Sequence, residues 1–290
     1  LPEFPPFPAP LLTLDVLLPS VRTALAEDIG TGDLTGAAII PETRQARFSL
    51  VAREPLVLAG LPVAEAAFRE VLPAVVFTPY AADGTLLPAG AVIADVAGQA
   101  RGLLAAERTA LNFLQFLSAI ATTTRRYVDA IAYTEARLLD TRKTVPGLRL
   151  LSKYAAHVGG AWNHRWRLDD ALMLKDNHIA LCDTGGGGLA AAVRQALAFA
   201  PDRRLIVECD TLMQAEAALA AGATWLLLDN MTLEDLRAGV RLAQGRAVIE
   251  ASGGVRLETI AAIAETGVDY ISCGRITSAP GSVDIGLDWR

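Results

Sequence analysis

The chain contains three lysines, Lys143, Lys153 and Lys175, and all of them fall in one short stretch. Arg142, Arg149, Arg165, Arg167, His157 and His164 share that stretch. Against a formal net charge of −6, this concentration reads as a local anion site in an acidic protein. Guanidinium forks match carboxylate and phosphate geometry, so the expected substrate is multiply anionic. Further along, apolar runs end in acidic or small polar residues: Glu208 and Asp210, Asp229 and Asn230, Glu250 and Ser252, then Gly274. Carboxylates at Glu208 and Asp229 can bind sugar hydroxyls, hold Mg²⁺ directly or through water, or stabilise positive charge developing at an anomeric carbon. Helix capping is the competing structural use of such residues, and Asp210 reads as the N-cap of a helix starting at Leu212.

A phosphate cradle is visible in Ser252, Gly253 and Gly254, just before a helix expected to begin near Arg256. Backbone N–H groups and a helix N-terminus suit a phosphate there, with Gly274 completing the cradle. The run Gly185 to Gly188 resembles a P-loop, but no Lys-Ser or Lys-Thr follows it, so it reads as a connector. No Ser-His-Asp or Cys-His set emerges, and a transferase whose nucleophile belongs to the substrate needs none. Of the three histidines, His157 falls on a helical pattern and reads as structural. His164, in N-H-R, is better placed for a ligand, and His178 follows Lys175-Asp176-Asn177, where it orients that loop.

The elements that would position these groups alternate. The apolar runs are Arg137 to Asp140, Leu172 to Lys175, Leu205 to Glu208, Trp225 to Asp229, Val248 to Ser252 and Tyr270 to Gly274. Helical patterns between them cover Leu148 to Val158, Leu189 to Ala200, Leu212 to Ala221, Leu233 to Leu242 and Leu257 to Glu265. Repeated βα units build a parallel sheet, and their tight spacing suits a closed α/β barrel with its site at the strand C-termini. A doubly wound open sheet is the structural alternative. Earlier in the chain, a helix from Asp15 to Glu27 precedes β-like runs at Ala46 to Ala52, Leu56 to Leu58, Val75 to Thr78 and Ala91 to Val96. A helix from Pro62 to Val71 interrupts those runs, Asp83 to Gly90 reads as turn and loop, and a long helical region covers Leu103 to Ala132. The expected division is a Pro-rich arm over 1–12, an N-terminal α+β sandwich domain over 13–116 and a catalytic α/β barrel over 117–290. The last residues are free to pack back on the N-terminal domain.

Composition narrows the class further. Hydrophobic residues make up 52% of 290, enough for a large core. No basic stripe interleaved with aromatics is present, which disfavours nucleic acid, and no apolar run is long enough for a membrane helix. The run from Leu11 to Leu18 is broken by Asp15 and makes a poor signal peptide. Cys182, Cys209 and Cys273 are far apart without CxxC spacing, which suits a reducing compartment and a cytoplasmic location.

Nine stretches closely resemble the quinolinate phosphoribosyltransferase family. They are Glu27 to Thr35, Ala106 to Thr122, Asp140 to Arg149, Lys153 to Arg165, Leu172 to Ile179, Val207 to Thr211, Leu226 to Met231, Ile249 to Gly254 and Gly267 to Gly274. D-T-R-K-T, N-H-R and K-D-N-H at these spacings are highly specific. The resemblance implies an N-terminal α/β sandwich with a seven-stranded α/β barrel. It implies transfer of phosphoribosyl from phosphoribosyl pyrophosphate to quinolinate, with loss of carbon dioxide. It further implies that Arg108, Arg142, His164, Arg165 and Lys175 surround the pyridine dicarboxylate, with Arg108 supplied by the neighbouring subunit of a homodimer. By the same analogy Lys143, Glu208 and Asp229 serve phosphoribosyl pyrophosphate and its Mg²⁺, and Ser252, Gly253, Gly254 and Gly274 hold the 5′-phosphate. Lys143, Lys175, Glu208 and Asp229 are the catalytic candidates. Arg275 and the pair Ala161-Trp162 depart from the residues usual in the family. Competing readings are the related fold associated with molybdate uptake, an aldolase-like barrel with Lys175 as a Schiff-base amine, and a catalytically silent anion-binding barrel.

Overall fold

The computed structural model describes residues 11–182 and 188–290. The start of the Pro-rich arm and Gly185 to Gly187 of the glycine run lie outside the described residues. In chain order the elements are α1 (Leu14–Ile29), α2 (Leu34–Ile39), β1 (Gln45–Ala52), β2 (Leu56–Val57), α3 (Leu61–Val71), β3 (Val76–Pro79), β4 (Leu86–Leu87) and β5 (Val92–Gln99). The long helix α4 (Ala100–Ile131) leads to β6 (Arg137–Leu139), α5 (Arg149–Val158), β7 (Leu172–Leu174), α6 (Asp176–Leu181) and α7 (Gly188–Phe199). The remainder is β8 (Leu205–Cys209), α8 (Leu212–Ala220), β9 (Trp225–Asp229), α9 (Leu233–Ala243), β10 (Val248–Ser252), α10 (Ile260–Ala264), β11 (Tyr270–Ser272), α11 (Arg275–Ser278) and β12 (Ile285–Trp289). Two compact units interleave along the sequence. Among the described residues, one takes 11–125, 144–160 and 276–290, and the other takes 126–143 and 161–275.

The first unit is built on an antiparallel sheet ordered β12-β1-β5-β3, with the short pair β2-β4 beside it in sequence. β1 pairs with the C-terminal β12 from Phe48↔Trp289 to Ala52↔Ile285, so the last residues of the chain complete this sheet. Helix α3 buries Leu61, Val63, Ala64, Ala66, Ala67 and Phe68. Its N-terminus is closed by Asp83, whose carboxylate accepts from the N–H groups of Gly60 at 2.8 Å and Leu61 at 3.0 Å. The same carboxylate accepts from Tyr154 Oη at 2.7 Å, which ties α5 into this unit. The sequence pattern takes residues 148–158 as a crossover helix between barrel strands. The structure instead seats α5 here, because its Gly159 end lies so close to α4 that a Cβ would come within 2.6 Å of the Ala121 carbonyl oxygen. Within Asp83 to Gly90, expected as loop, β4 forms a two-residue strand too short to show a period.

The second unit carries the parallel sheet ordered β6-β11-β10-β9-β8-β7. Its strands read as continuous apolar runs because both faces are covered, and β9 and β10 are buried along four of their five residues each. The core joins Leu139, Ile206, Trp225, Leu227 and Val248, with Trp162, Met173 and Tyr270 packed against it. Tyr270 stacks on Trp225 with ring centroids 5.1 Å apart. Six strands form the sheet, and in the place of a seventh the described residues show a single parallel bridge from Leu139 to Trp162. Trp162 is therefore a core residue that adds to this edge. All six strands run the same way, so their C-terminal ends lie along one edge.

Asp95 on β5 stitches the antiparallel sheet together. It accepts from Ser49 Oγ at 2.6 Å and Tyr80 Oη at 2.9 Å, and pairs with Arg47 at 2.9 Å and Arg290 at 3.7 Å. Burial alone raises its proton affinity, but the two hydroxyl donors and the two arginines outweigh it and hold the carboxyl below its ordinary range. A depressed folded-state value means the stabilisation is present above the unfolded pKa and is lost as pH falls through the folded one. Asp95→Asn is expected to cost about 2 kcal/mol at neutral pH. It should also flatten the loss of stability between pH 5 and 3, measured by urea unfolding; an unchanged acid slope would contradict this assignment.

Candidate active site

Most of the candidate groups sit at or just after strand ends. β6 is followed by Asp140, Thr141, Arg142 and Lys143, β7 by Lys175, and β8 carries Glu208 in its last turn of chain. Register places Ser252 at the end of β10 opposite Asp229 at the end of β9. Two of the expected helix starts differ. The N-cap of α8 is Thr211, not Asp210: its hydroxyl accepts from Gln214 N at 3.2 Å, and Gln214 Oε1 accepts from Asp210 N at 2.7 Å. After the S-G-G turn the chain makes a turn closed by Arg256 N donating to Thr259 Oγ1 at 3.1 Å, so α10 begins only at Ile260. The expected helix N-terminus near Arg256 is therefore absent from the cradle.

The cationic side of the site is formed by Arg142, Arg165 and Lys175. Arg165 is buried, and its guanidinium donates to the Ala171 carbonyl at 3.1 Å and to Met173 Sδ at 3.4 Å. Burial, then the neighbouring charge of Arg142, lower its proton affinity, against the pull of Asp170 and Glu208. Arg142 is half-buried, and among the described residues no acceptor meets its sheltered Nε. Arg165 is thus held away from water beside the charge of Arg142, and guanidinium groups match carboxylate and phosphate geometry. Lys175 Nζ pairs with Glu208 across neighbouring strands. Its own N–H donates to His178 Nδ1 at 3.1 Å, which is the orienting role expected of that histidine.

At the end of β9, Asp229 accepts from Asn230 Nδ2 at 2.6 Å, and Asn230 N donates to the Ser252 carbonyl at 2.9 Å. Asn230 adopts a left-handed backbone with φ 54. Gly253 lies directly against it: a Cβ there would fall 2.2 Å from Asn230 Oδ1 and 2.7 Å from Asn230 N. Gly253 and Gly254 both have positive φ, 89 and 59, which only glycine adopts freely. Gly274 plays a matching part for Lys143, since a Cβ would come within 2.7 Å of Lys143 Cδ. Lys143 is exposed, and its N–H donates to Thr141 Oγ1 at 3.0 Å. The glycines thus give close approach, one to Asn230 beside Asp229 and the other to Lys143.

Beneath these groups lie two fully buried carboxylates, Asp140 and Glu250. Asp140 accepts from Asn163 Nδ2 at 2.6 Å and His164 N at 2.7 Å. Glu250 Oε2 accepts from Trp225 Nε1 at 2.8 Å and faces His164 Nε2 at 3.3 Å. Burial works against its charge, and hydrogen bonds from His164, Ser272 and Trp225 work for it. His164 is 4% exposed, and its other ring nitrogen, Nδ1, receives the Arg165 N–H at 2.8 Å. Trp225 and Asp170 were not marked by the sequence. Trp225 opens an apolar strand and reads as core, while Asp170, which accepts from Trp166 N at 2.5 Å, sits in a loop with no pattern.

The cationic stretch of the sequence divides in space. Arg149, Lys153 and His157 lie on α5 in the first unit, Lys153 being fully buried, and Arg167 pairs with exposed Asp169 at 3.1 Å. Arg108 is exposed on α4, also in the first unit. Cys209 and Cys273 are buried, and burial with Asp210 and Glu208 nearby pushes the Cys209 thiol up to about 12, so it is no nucleophile.

Comparison with known proteins places the whole fold in a family. Residues 33–118 match the N-terminal domain model of quinolinate phosphoribosyl transferase, and residues 120–288 match its C-terminal domain. A Mycobacterium leprae protein named nicotinate-nucleotide pyrophosphorylase [carboxylating] is 41% identical, over 94% of this chain and 97% of its own length. A Bacillus subtilis protein with the same name prefixed "probable" is 40% identical, over 90% and 89%. The solved nicotinate-nucleotide pyrophosphorylase of Francisella tularensis superposes with a TM-score of 0.91 at 38% identity, over 97% and 98%.

Gly253→Ala is expected to destabilise the protein by about 2–4 kcal/mol, from a left-handed backbone plus a clash with Asn230. Gly254→Ala, with open space around its Cβ, should cost only about 1 kcal/mol. Equal shifts in the urea midpoint would contradict the close approach at Gly253.

Proposed function

The chain belongs to the quinolinate phosphoribosyltransferase family, and from that premise we propose how its own residues carry the family's reaction. The activity is transfer of phosphoribosyl from phosphoribosyl pyrophosphate to the nitrogen of quinolinate, with loss of carbon dioxide and pyrophosphate, giving nicotinate mononucleotide. The observation that carries the assignment of roles is the buried Arg165 guanidinium with the charge of Arg142 beside it. Quinolinate brings two adjacent carboxylates, and two guanidiniums held against their own repulsion are stabilised when such a dianion arrives. Lys175 adds a third cation, which Glu208 balances until the substrate is present.

Glu208 and Asp229 are assigned to the ribose hydroxyls and to Mg²⁺. Both are oxygen donors on adjacent strands, and among the described residues no set of three acidic, His or Cys groups forms a cage. That donor set suits a magnesium ion held mainly by pyrophosphate oxygens and water. When bound, the metal would neutralise charge on the departing pyrophosphate. Lys143, packed against Gly274, is assigned to the pyrophosphate, and Ser252, Gly253, Gly254 and Gly274 to the 5′-phosphate through backbone N–H groups. The carboxylates then flank the ribose as positive charge develops at its anomeric carbon, and the quinolinate nitrogen attacks there. The pyridinium so formed accommodates the electrons left on the ring when the neighbouring carboxylate departs. Positioning and electrostatics supply the catalysis.

Arg108 is assigned to the site of a neighbouring subunit, which makes a homodimer the minimal working unit. A cytoplasmic setting is supported by Cys182, Cys209 and Cys273, all free thiols. Among the described residues no helix is long and apolar enough to cross a membrane.

The direct test is incubation with quinolinate, phosphoribosyl pyrophosphate and Mg²⁺, followed by detection of nicotinate mononucleotide and carbon dioxide; their absence would remove the assignment. Arg165→Ala should lower kcat/KM for quinolinate by about 2–5 kcal/mol while leaving phosphoribosyl pyrophosphate binding nearly intact. Equal loss for both substrates would contradict its role. Mixing inactive Arg108→Ala with inactive Lys175→Ala subunits should restore activity, because one intact site forms per mixed dimer. No recovery after demonstrated subunit exchange would count against the shared site.

A further inference from the structure

Both ring nitrogens of His164 meet partners within the chain. Nδ1 receives the Arg165 N–H at 2.8 Å, and a backbone N–H is only a donor, so Nδ1 carries a lone pair rather than a proton. Nε2 then bears the hydrogen and donates to Glu250 Oε2, 3.3 Å away. The Trp225 indole, also a donor only, meets that same oxygen at 2.8 Å. Oε2 is thus fixed as an acceptor from one side, and His164 must donate to it from the other. Glu250, His164 and Arg165 are 0%, 4% and 6% exposed, so water cannot replace a lost partner. The backbone of the same segment is held by Asp140, which accepts from His164 N at 2.7 Å.

Resting on the quinolinate reading of the site, we propose that Glu250 is a positioning residue for substrate binding. It fixes His164 as the neutral Nε2–H tautomer, which turns Nδ1 to the Arg165 N–H and so sets the backbone from which the Arg165 guanidinium reaches the substrate carboxylates. Trp225 assists by pinning the shared oxygen. His164 serves from behind Arg165, in the manner of groups that orient the side chains touching a ligand. The chain of contacts runs from the sheet interior at β9 and β10 to the cationic edge, and no part of it needs the substrate in order to form.

The wild-type tautomer is read by ¹⁵N-labelled imidazole NMR at pH 7.5, with the His164 signals assigned by their loss in His164→Gln. The expected result is a pyrrole-type Nε2 and a pyridine-type Nδ1. Glu250→Gln retains an oxygen that Trp225 directs to the same place, so it should keep both the tautomer and the KM for quinolinate. Glu250→Leu removes the acceptor and should raise that KM roughly 10–100-fold, leaving the KM for phosphoribosyl pyrophosphate unchanged. A pyrrole-type Nδ1 in the wild type overturns the proposal, as does an unchanged quinolinate KM in Glu250→Leu. If the leucine variant does not fold, the wild-type spectrum and the glutamine variant decide the matter. A wild-type enzyme that does not use quinolinate would strike the functional assignment instead, and the ring spectrum would still test the tautomer.

Discussion

Like charges repel, and the second unit is arranged to hold Arg142 and Arg165 near each other at the end of a parallel sheet. Water would screen that repulsion, but Arg165 is buried and its proton affinity is lowered by burial and by Arg142. Such a pair costs free energy in the absence of a partner, and the cost is met by rigid surroundings. The Ala171 carbonyl and Met173 Sδ grip the guanidinium of Arg165, while Asp170 and Glu208 supply a partial counter-field. On the proposed assignment, a dianionic substrate relieves that repulsion.

The rest of the sheet follows from this need. Parallel strands bring six C-terminal ends to one edge, so cations after β6 and β7 meet carboxylates at the ends of β8 and β9 without any long loop. Gly253 after β10 and Gly274 after β11 have no room for a side chain, because Asn230 occupies that space in one case and Lys143 in the other. Beneath them, the buried carboxylates of Asp140 and Glu250 lock the Asn163-His164-Arg165 segment from the backbone and the ring. An interior that accepts two ionisable groups must satisfy them closely, and here their donors are the groups that lead to the substrate site.

Much of this was legible in the residues. Fully buried parallel strands are uninterrupted apolar runs, so β8, β9 and β10 fall within a residue of where the pattern puts them, and the polar residue that ends each run marks the edge. Short elements were less visible: β4 is a two-residue strand, and α10 is a single turn or so of helix preceded by a turn that the Leu257 to Glu265 pattern also fits. The seat of α5 was not legible at all, because its apolar face reads alike whether it covers a parallel sheet or packs with α4. For the same reason the cationic stretch appeared as one cluster, although Arg149, Lys153 and His157 belong to the other unit. The direction of the His164 ring depended on Glu250 and Trp225, which are distant in sequence, and no local spacing encodes such a meeting.

The central claim is that the paired guanidiniums select a substrate with two adjacent carboxylates. Calorimetric titration of the protein with quinolinate and, separately, with nicotinate, which lacks the second carboxylate, tests it most directly. The account predicts that quinolinate binds at least about tenfold more tightly, since a charge-assisted hydrogen-bonding partner contributes on the order of 1.5–3 kcal/mol. Equal affinity for the two acids would contradict it.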